Sequence, residues 1–187
     1  MRLWKLGRAC ALALLVWTVS LNAALAHALP GSVLTFSQDA HTVQLQIELA
    51  LEDLVVASPR FDTLVDAPVG DLDAAALRSL NEYFEDHLKV LTAANAALSM
   101  QVESGTLSLG DDLHAGTFQL LTVLVTGQIT NEEIWPIRLT YDAVMHEVRN
   151  HRASVFWQGS DANPVRLAEF GYAHGSGKSP SLVLDLE

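Results

Sequence analysis

The chain has 187 residues, of which 50% are hydrophobic and 18% are charged. This balance is typical of a folded globular protein and not of a disordered or fibrous one. Its 11 lysines and arginines are outnumbered by 22 aspartates and glutamates, so the formal net charge is −11. A field of this sign repels phosphate backbones, and we therefore expect no nucleic-acid partner. The one cysteine, Cys10, cannot form an intramolecular disulfide or a cysteine-based metal site.

The first 26 residues have the pattern of an export signal. Basic residues open the segment, an apolar stretch follows at 9–21, and the segment ends in Ala-Leu-Ala at 24–26. The apolar stretch is shorter than the roughly 20 residues of a membrane span, and the small residues suit signal peptidase. We predict cleavage after Ala26, a single mature domain over 27–187, and a periplasmic or other extracytoplasmic location. An uncleaved membrane anchor is the alternative.

Most of the mature chain has strand patterns. Residues 42–49 read Thr-Val-Gln-Leu-Gln-Ile-Glu-Leu, and this alternation of apolar and polar side chains is typical of a strand with one buried face. Residues 59–70, with two prolines and a glycine, are predicted to be a connecting loop. Strands are predicted at 32–37, 42–49, 98–102, 106–109, 117–129, 137–148, 153–157, 166–172 and 182–186. Short strands at this spacing predict a mainly β fold, an antiparallel β-sandwich.

One segment breaks this pattern and is predicted to be a helix. Between residues 72 and 91 the apolar positions are three and four residues apart, which places them on one face of a helix but not of a strand. These positions are Leu77, Leu80, Phe84, Leu88 and Leu91. Asp71 or Asp73 can cap the first turn. We expect one long amphipathic helix, inserted in the β-sandwich domain and packed across one end or face of it.

Motifs of the common catalytic and nucleotide-binding sites are missing from the sequence. It has no G-x-S-x-G, H-E-x-x-H, G-x-x-x-x-G-K-[ST] or G-x-G-x-x-G pattern. The glycine-rich run at 171–177 leads into a proline and a strand pattern, so we interpret it as a surface loop and not as a phosphate-binding turn. We therefore do not expect the protein to be an enzyme.

Histidines are the candidate metal ligands, because neutral imidazole binds first-row transition metals. His146 and His151 lie in two strand patterns separated by Arg149 and Asn150. If these two residues form a tight hairpin turn, the histidines become diagonal neighbours on one face, roughly 7 to 8 Å apart, and can share a metal. If the segment is one continuous strand, their separation of five places them on opposite faces.

Two further residues are candidates to complete such a site. A mature chain that begins at His27 offers its α-amino and ring nitrogens to one metal, and Asp142 offers a carboxylate near His146. Cleavage at another bond would remove the first of these. The other histidines are interpreted as residues of turns, loops or the surface: His41, His87, His114 and His174. The predicted metal ligands are His146, His151, His27 and Asp142, and the predicted ion is nickel or copper.

Three stretches carry a resemblance to a known family. They are His-Ala-Leu-Pro-Gly-Ser-Val-Leu at 27–34, the predicted helix, and Leu-Thr-Tyr-Asp-Ala-Val-Met-His at 139–146, which leads to Asn-His-Arg-Ala at 150–153. Together they resemble the exported N-terminal region of the HupE/UreJ family of hydrogenase and urease accessory membrane proteins. In that family a soluble β-rich region precedes membrane helices that are associated with the uptake of nickel or related metals.

The resemblance implies that the protein works beside a membrane protein or transporter. Family members continue into membrane helices, whereas this chain stops at Glu187. It is therefore either a relative that acts with a separate membrane partner or a fragment. The first function we predict is an extracytoplasmic accessory domain that binds nickel or copper, in a negative field that concentrates cations. The alternative is a non-catalytic protein-interaction module with no metal, in which the histidines are ordinary polar residues.

Overall fold

The computed structural model of the chain describes residues 30–39, 41–113, 115–129, 134–159, 163–171 and 180–186. The predicted signal peptide and His27 lie outside the described residues, as do His114, His174 and most of the glycine-rich run.

Strands make up most of the regular structure. They are β1 (Ser32–Gln38), β2 (Thr42–Ala50), β3 (Gly70–Asp71), β4 (Leu88–Leu91), β5 (Ala97–Leu98), β6 (Met100–Asp112), β7 (Gly116–Gln128), β8 (Ile137–Tyr141), β9 (Ala153–Trp157), β10 (Val165–Phe170) and β11 (Ser181–Leu184). The helices are α1 (Leu51–Ala57), a 3-10 helix (Pro59–Leu64) and α2 (Ala74–His87). The chain is thus mainly β. Among the described residues, no helix is both long and apolar enough to cross a membrane.

The strands form two sheets that are mostly antiparallel. The larger sheet has the order β10-β9-β1-β2-β7-β6-β3, and the smaller sheet has the order β11-β8-β4-β5. Strands β1 and β9 pair in parallel, whereas the sequence analysis predicted antiparallel sheets. Strand β7 already runs in the direction of β1, because both pair antiparallel with β2. The crossover from β7 through β8 of the smaller sheet then returns the chain in that direction for β9.

One face of each sheet contributes to a common core. In β2 the side chains of Leu45 and Ile47 are fully buried, whereas Gln46 between them is exposed. This alternation is the period of two that a strand imposes on its side chains. Buried residues of both sheets and both α-helices belong to one hydrophobic cluster.

Helix α2 begins at the cap that the sequence predicts. The Asp73 carboxylate accepts a hydrogen bond from the backbone N–H of Ala76 at 2.8 Å, which satisfies one of the free donors of the first turn. Leu80, Tyr83 and Phe84 are the buried residues of the helix. They lie three, one and four residues apart, so one face of α2 packs against the core.

The helix ends at His87 and is shorter than the predicted 72–91. The chain passes directly into β4, where Leu88 and Val90 are buried and where Leu88 is opposite Tyr141 of β8. Leu88 continues the helical spacing of three and four, but it also begins a strand-like alternation, and pairing with β8 favours the strand. The end of α2 is therefore held beside the end of β8.

Three other segments differ from the prediction. The segment predicted as a loop at 59–70 begins with the 3-10 helix, and helix α1 was not predicted. Of the strands predicted at 98–102 and 106–109, Leu98 belongs to β5, and residues 100–102 and 106–109 are parts of one strand, β6, with an irregular register between Val102 and Ser104. The strand predicted at 137–148 ends at Tyr141, and turns follow it.

Replacing Leu80 by aspartate tests whether α2 is held by its buried face. Leu80 is 0% exposed, so Leu80→Asp places a carboxylate in an apolar interior, and we expect the free energy of unfolding to fall by about 3 kcal/mol or more. Urea unfolding followed by circular dichroism measures this change. In the matched control, Leu113→Asp, the leucine is 100% exposed, and a change below about 0.5 kcal/mol is expected. Equal stability of the two variants would show that this face is not buried.

Candidate functional site

A cluster of aromatic and polar side chains lies where helix α2 meets the turns after strand β8. Tyr83 and His87 are one helical turn apart on α2, and Asp142 and His146 are four residues apart in the turns. We call these four residues the His87 cluster. It forms because β4, which follows His87 directly, pairs with the end of β8. The backbone N–H of Asp142 also donates a hydrogen bond to the carbonyl oxygen of His87, at 3.1 Å.

The two imidazole rings of the cluster are stacked. The ring centroids of His87 and His146 are 4.2 Å apart and the ring planes differ by 16°. The ring of Tyr83 lies 4.5 Å from that of His87 on the core side. The side chain of His87 is 20% exposed, while His146 is exposed to solvent. The pair is therefore open to ligands on one side and supported by the core on the other.

The hydrogen bonds of the cluster determine which ring nitrogens carry the protons. His87 Nδ1 lies 2.7 Å from Oδ1 of Asp142, and His146 Nδ1 lies 3.2 Å from the backbone carbonyl oxygen of Asp142. An ionised carboxylate and a carbonyl oxygen can only accept, so each neutral ring holds its proton on Nδ1. The lone pair of each neutral ring is then on Nε2, the nitrogen that can bind a cation.

The turn that carries His146 is strained at Val144. This fully buried residue has a φ of 66°, in the left-handed region that β-branched residues rarely adopt. The N–H of Met145 donates to the carbonyl oxygen of Ala143 at 2.8 Å, which closes a three-residue turn around Val144. Such a conformation costs on the order of 1–3 kcal/mol and persists only where the surroundings impose it.

Tyr83 supplies the contact that holds this turn. Its Oη accepts a hydrogen bond from the backbone N–H of Val144 at 2.9 Å, and its ring packs edge to face against Phe61 and Phe84. Burial raises the pKa of Tyr83 from 10.0 to about 12, although the bond from Val144 acts in the opposite direction. At neutral pH the phenol is therefore uncharged, and its hydrogen bond and ring contacts hold it in one position.

His151 belongs to a different, buried network. Its Nδ1 lies 2.8 Å from Oδ2 of Asp53 in α1, and its Nε2 lies 2.7 Å from Oγ of Ser32 at the start of β1. The phenol of Tyr141, at the end of β8, donates to Ser32 Oγ at 3.2 Å. Nδ1–H donates to the carboxylate, so Nε2 accepts the hydroxyl proton of Ser32. Both ring nitrogens of His151 are thus used inside the fold.

Hydrogen bonds connect Asp53 to His151 and His151 to Ser32, as they connect the three residues of a hydrolase triad. Here, however, the three residues hold the fold together. Ser32 and His151 are only 2% and 3% exposed. The backbone N–H of Ser32 donates to the carbonyl oxygen of Arg152 at 2.8 Å and lies 3.1 Å from His151 Nε2, so it does not point to where an oxyanion would form. The network joins the larger sheet to the smaller one.

The structure brings two of the four predicted ligands together and separates a third. His146 and Asp142 are both in the His87 cluster, His151 is in the buried network, and His27 lies outside the described residues. Neither arrangement considered for residues 141–155, a hairpin at Arg149 and Asn150 or one continuous strand, is present, because β8 ends at Tyr141 in the smaller sheet and β9 begins at Ala153 in the larger. In the described part of the chain, no group of three His, Cys, Asp or Glu side chains is placed to hold a metal ion.

His87 is the member of the cluster that the sequence analysis missed. We interpreted it as a surface residue because it follows an aspartate near the end of an amphipathic helix. Its partner Asp142 is 55 residues away, and no local pattern connects the two. Pairing β4 with β8 brings His87 and Asp142 together. The sequence analysis could not predict this pairing, because it extended the helix past His87 to residue 91.

Comparison with known proteins provides no family for this chain: no family model and no curated protein matches it. The resemblance to the HupE/UreJ family therefore stays a prediction, and the functional argument rests on the geometry.

The raised pKa of Tyr83 makes stability depend on pH in alkaline solution. Between about pH 10 and pH 12 an unfolded tyrosine has lost its proton while the folded Tyr83 keeps it. The unfolded state then binds fewer protons, so stability falls as the pH rises through this range. Tyr83 should account for about 1 kcal/mol of the stability lost between pH 9 and pH 11.

The variant Tyr83→Phe isolates this contribution. It removes the ionisable group, so its loss of unfolding free energy between pH 9 and pH 11 should be about 1 kcal/mol smaller than that of the unmodified protein. It should also be less stable at pH 7, because the N–H of Val144 loses its acceptor. Urea unfolding at the three pH values measures both effects. The same alkaline loss in both proteins would contradict the burial of the phenol.

Proposed function

We propose that this chain is an exported β-sandwich accessory domain that binds nickel or copper beside a membrane protein or transporter. The observation that carries the proposal is the stacked pair of His87 and His146, whose Nδ1 atoms both face oxygens of Asp142. Two neutral imidazoles with Nε2 lone pairs at one open surface are a donor set that suits nickel and copper.

In this proposal Asp142 orients the ligands and does not bind the metal. Histidines that bind metals commonly donate the other ring N–H to a carboxylate or a backbone carbonyl, and such partners fix the tautomer and the ring direction. Asp142 provides both kinds of acceptor, one to each ring. Its carboxylate oxygen faces Nδ1 of His87, so it is not directed at the Nε2 atoms. This role differs from the ligand role that the sequence analysis predicted for Asp142.

Stacked rings have nearly parallel lone pairs, so one ring must turn for both to meet one ion. His146 is exposed and lies in a turn, whereas His87 is held between Tyr83 and Asp142. His146 is thus the ring that can turn toward an ion bound at His87. The neighbouring carboxylates of Asp86 and Glu147 are exposed and raise the local concentration of cations.

The remaining donors come from water or from residues outside those described, and His27 is our candidate among the latter. His27 is five positions before Ser32, so the chain between them reaches at most about 17 Å. Ser32 Oγ is 3.2 Å from the phenol oxygen of Tyr141, the residue directly before Asp142. A mature N-terminus at His27 would therefore be within reach of the cluster.

His151 has no place in this site. Both of its ring nitrogens are bonded to Asp53 and Ser32 in the interior, and coordination of a metal would break one of these bonds. Replacing His151 should therefore affect folding and not the metal donors.

Calorimetric titration of the purified protein with Ni²⁺ and with Cu²⁺ tests the proposal. We expect His87→Ala and His146→Ala each to weaken binding about tenfold or more, because each removes one nitrogen donor. Asp142→Asn keeps the backbone carbonyl but loses the carboxylate, and it should weaken binding less than the loss of His87.

The matched control is His41→Ala, which alters an exposed histidine in the turn before β2, and its affinity should stay unchanged. Tight binding that survives both cluster variants would place the site elsewhere. Failure of the unmodified protein to bind either ion would refute the metal proposal.

A non-catalytic protein-interaction module is the second candidate function. It is favoured by exposed valines and leucines at one end of the fold, remote in sequence from Asp142 and His146.

A further inference from the structure

Most of the large exposed apolar side chains lie at one end of the described fold. Val56, Val65 and Val69 are 66%, 44% and 59% exposed on α1 and the segment after the 3-10 helix, and Leu109 is 65% exposed near the tip of the β6–β7 hairpin. We call these four residues the apolar end. Single exposed apolar residues are ordinary, but a group of them marks a surface for contact with another molecule.

Hydrogen bonds connect the segments that carry Val56, Val65 and Leu109. Gln119 of β7 is directly opposite Leu109 of β6. Its side-chain amide donates to the carbonyl oxygen of Val65 at 3.1 Å, and its backbone N–H donates to Oε1 of Glu52 at 3.2 Å. Glu52 is one helical turn before Val56 on α1. Strand β7 therefore holds the hairpin and the helical segment side by side.

A groove of about 460 Å³ adjoins the apolar end, between the 3-10 helix and the first turn of α2. Phe61, Leu64, Pro68 and Leu72 are among the residues that line it. Val65 directly follows one of these lining residues and Val69 directly follows another. The volume is in the range of about 300–1,000 Å³ that is usual for ligand sites.

The rim of the groove is acidic. Asp71 and Asp73 are among the residues that line the groove, and Asp62 and Asp66 are exposed on the neighbouring segment. Arg60 also lines the groove. Its guanidinium lies 3.9 Å from the carboxylate of Glu82 and over the ring of Tyr83, so Glu82 offsets its positive charge. An occupant of the groove thus meets apolar walls and negative charge together.

We propose that the groove and the apolar end bind a basic, aliphatic peptide segment of a partner protein. Aliphatic side chains fill the groove and cover the exposed valines, and lysine or arginine side chains face the aspartates of the rim, as in other complexes between an amphipathic segment and a groove. The acidic rim repels an anionic membrane and a second copy of this acidic chain. The surface is independent of the histidine pair, so its test does not depend on metal binding.

Fluorescence anisotropy with two labelled synthetic peptides tests this proposal. Both are 18-residue amphipathic helices with the same leucines, but one has lysines and the other has glutamates on its polar face. The purified protein should bind the lysine peptide at least tenfold more tightly than the glutamate peptide, and added salt should weaken that binding. Equal affinity for the two peptides, or no binding of the lysine peptide, would overturn the proposal.

Paired variants locate the binding on the protein. Val65→Ser/Val69→Ser removes apolar contact and should weaken binding of the lysine peptide at least fivefold. The matched control Val165→Ser/Val183→Ser alters valines that are 55% and 64% exposed on β10 and β11, and it should change the affinity less than twofold. Equal weakening by both pairs would place the contact elsewhere and overturn the proposal.

A second pair of variants tests the role of charge. Asp66→Asn/Asp71→Asn should weaken binding of the lysine peptide and reduce its dependence on salt, whereas Glu103→Gln/Asp185→Asn, which removes two exposed carboxylates outside the groove, should do less. Equal effects would mean that net charge alone attracts the peptide, which would overturn the proposal.

Two further measurements test the other occupants. Flotation with vesicles of phosphatidylcholine and phosphatidylglycerol should recover no protein, and sedimentation should show no self-association that Val65→Ser/Val69→Ser abolishes. Protein recovered with the vesicles, or self-association that Val65→Ser/Val69→Ser abolishes, would overturn the proposal and replace the peptide by a membrane or by a second copy.

Discussion

The hydrogen bond from the backbone N–H of Val144 to the phenol oxygen of Tyr83 is the contact on which the candidate site depends. It joins α2 to the turns after β8 and imposes a left-handed backbone on a buried, β-branched residue. A residue of this kind pays for that conformation in strain. What the strain maintains is the position of His146, two residues later, with its ring stacked on that of His87.

The loop between β8 and β9 is also held at its other end, by the hydrogen bonds of His151. His151 enters the interior, where Asp53 accepts a hydrogen bond from its Nδ1–H and Ser32 donates one to its Nε2. His146 stays at the surface, where the backbone carbonyl of Asp142 accepts a hydrogen bond from its Nδ1–H and Nε2 keeps its lone pair. Two histidines five residues apart thus have different structural environments, because the hydrogen bonds around them differ. One joins the two sheets, and the other presents a donor.

The parts of the fold that the sequence predicts are those set by local periodicity. The alternation in β2 and the cap at Asp73 follow from neighbouring residues, and the structure contains both. The end of α2 does not, since Leu88 fits the helical spacing and the strand alternation equally well, and its pairing with Tyr141 decides between them.

The candidate site shows the same division. Asp142 and His146 are four residues apart in the sequence, but the turn that brings them together replaces the strand predicted at 137–148. The contacts of His87 with Asp142 and of His151 with Asp53 span 55 and 98 residues, and they exist only once the sheets are paired. The sequence analysis therefore grouped His146 with His151, whose ring nitrogens are bonded in the core, and gave no sign that His87 lies beside Asp142.

The fold thus separates two surfaces: the His87 cluster where α2 meets the turns after β8, and the apolar groove that begins at the first turn of the same helix. Pulsed electron paramagnetic resonance of the Cu²⁺-loaded protein tests the central claim most directly, because it counts the imidazole nitrogens bound to copper. We predict imidazole couplings from both His87 and His146, the loss of one in His146→Ala, and an unchanged spectrum in His41→Ala. The same spectrum from the unmodified protein and from the double variant His87→Ala/His146→Ala would contradict the account.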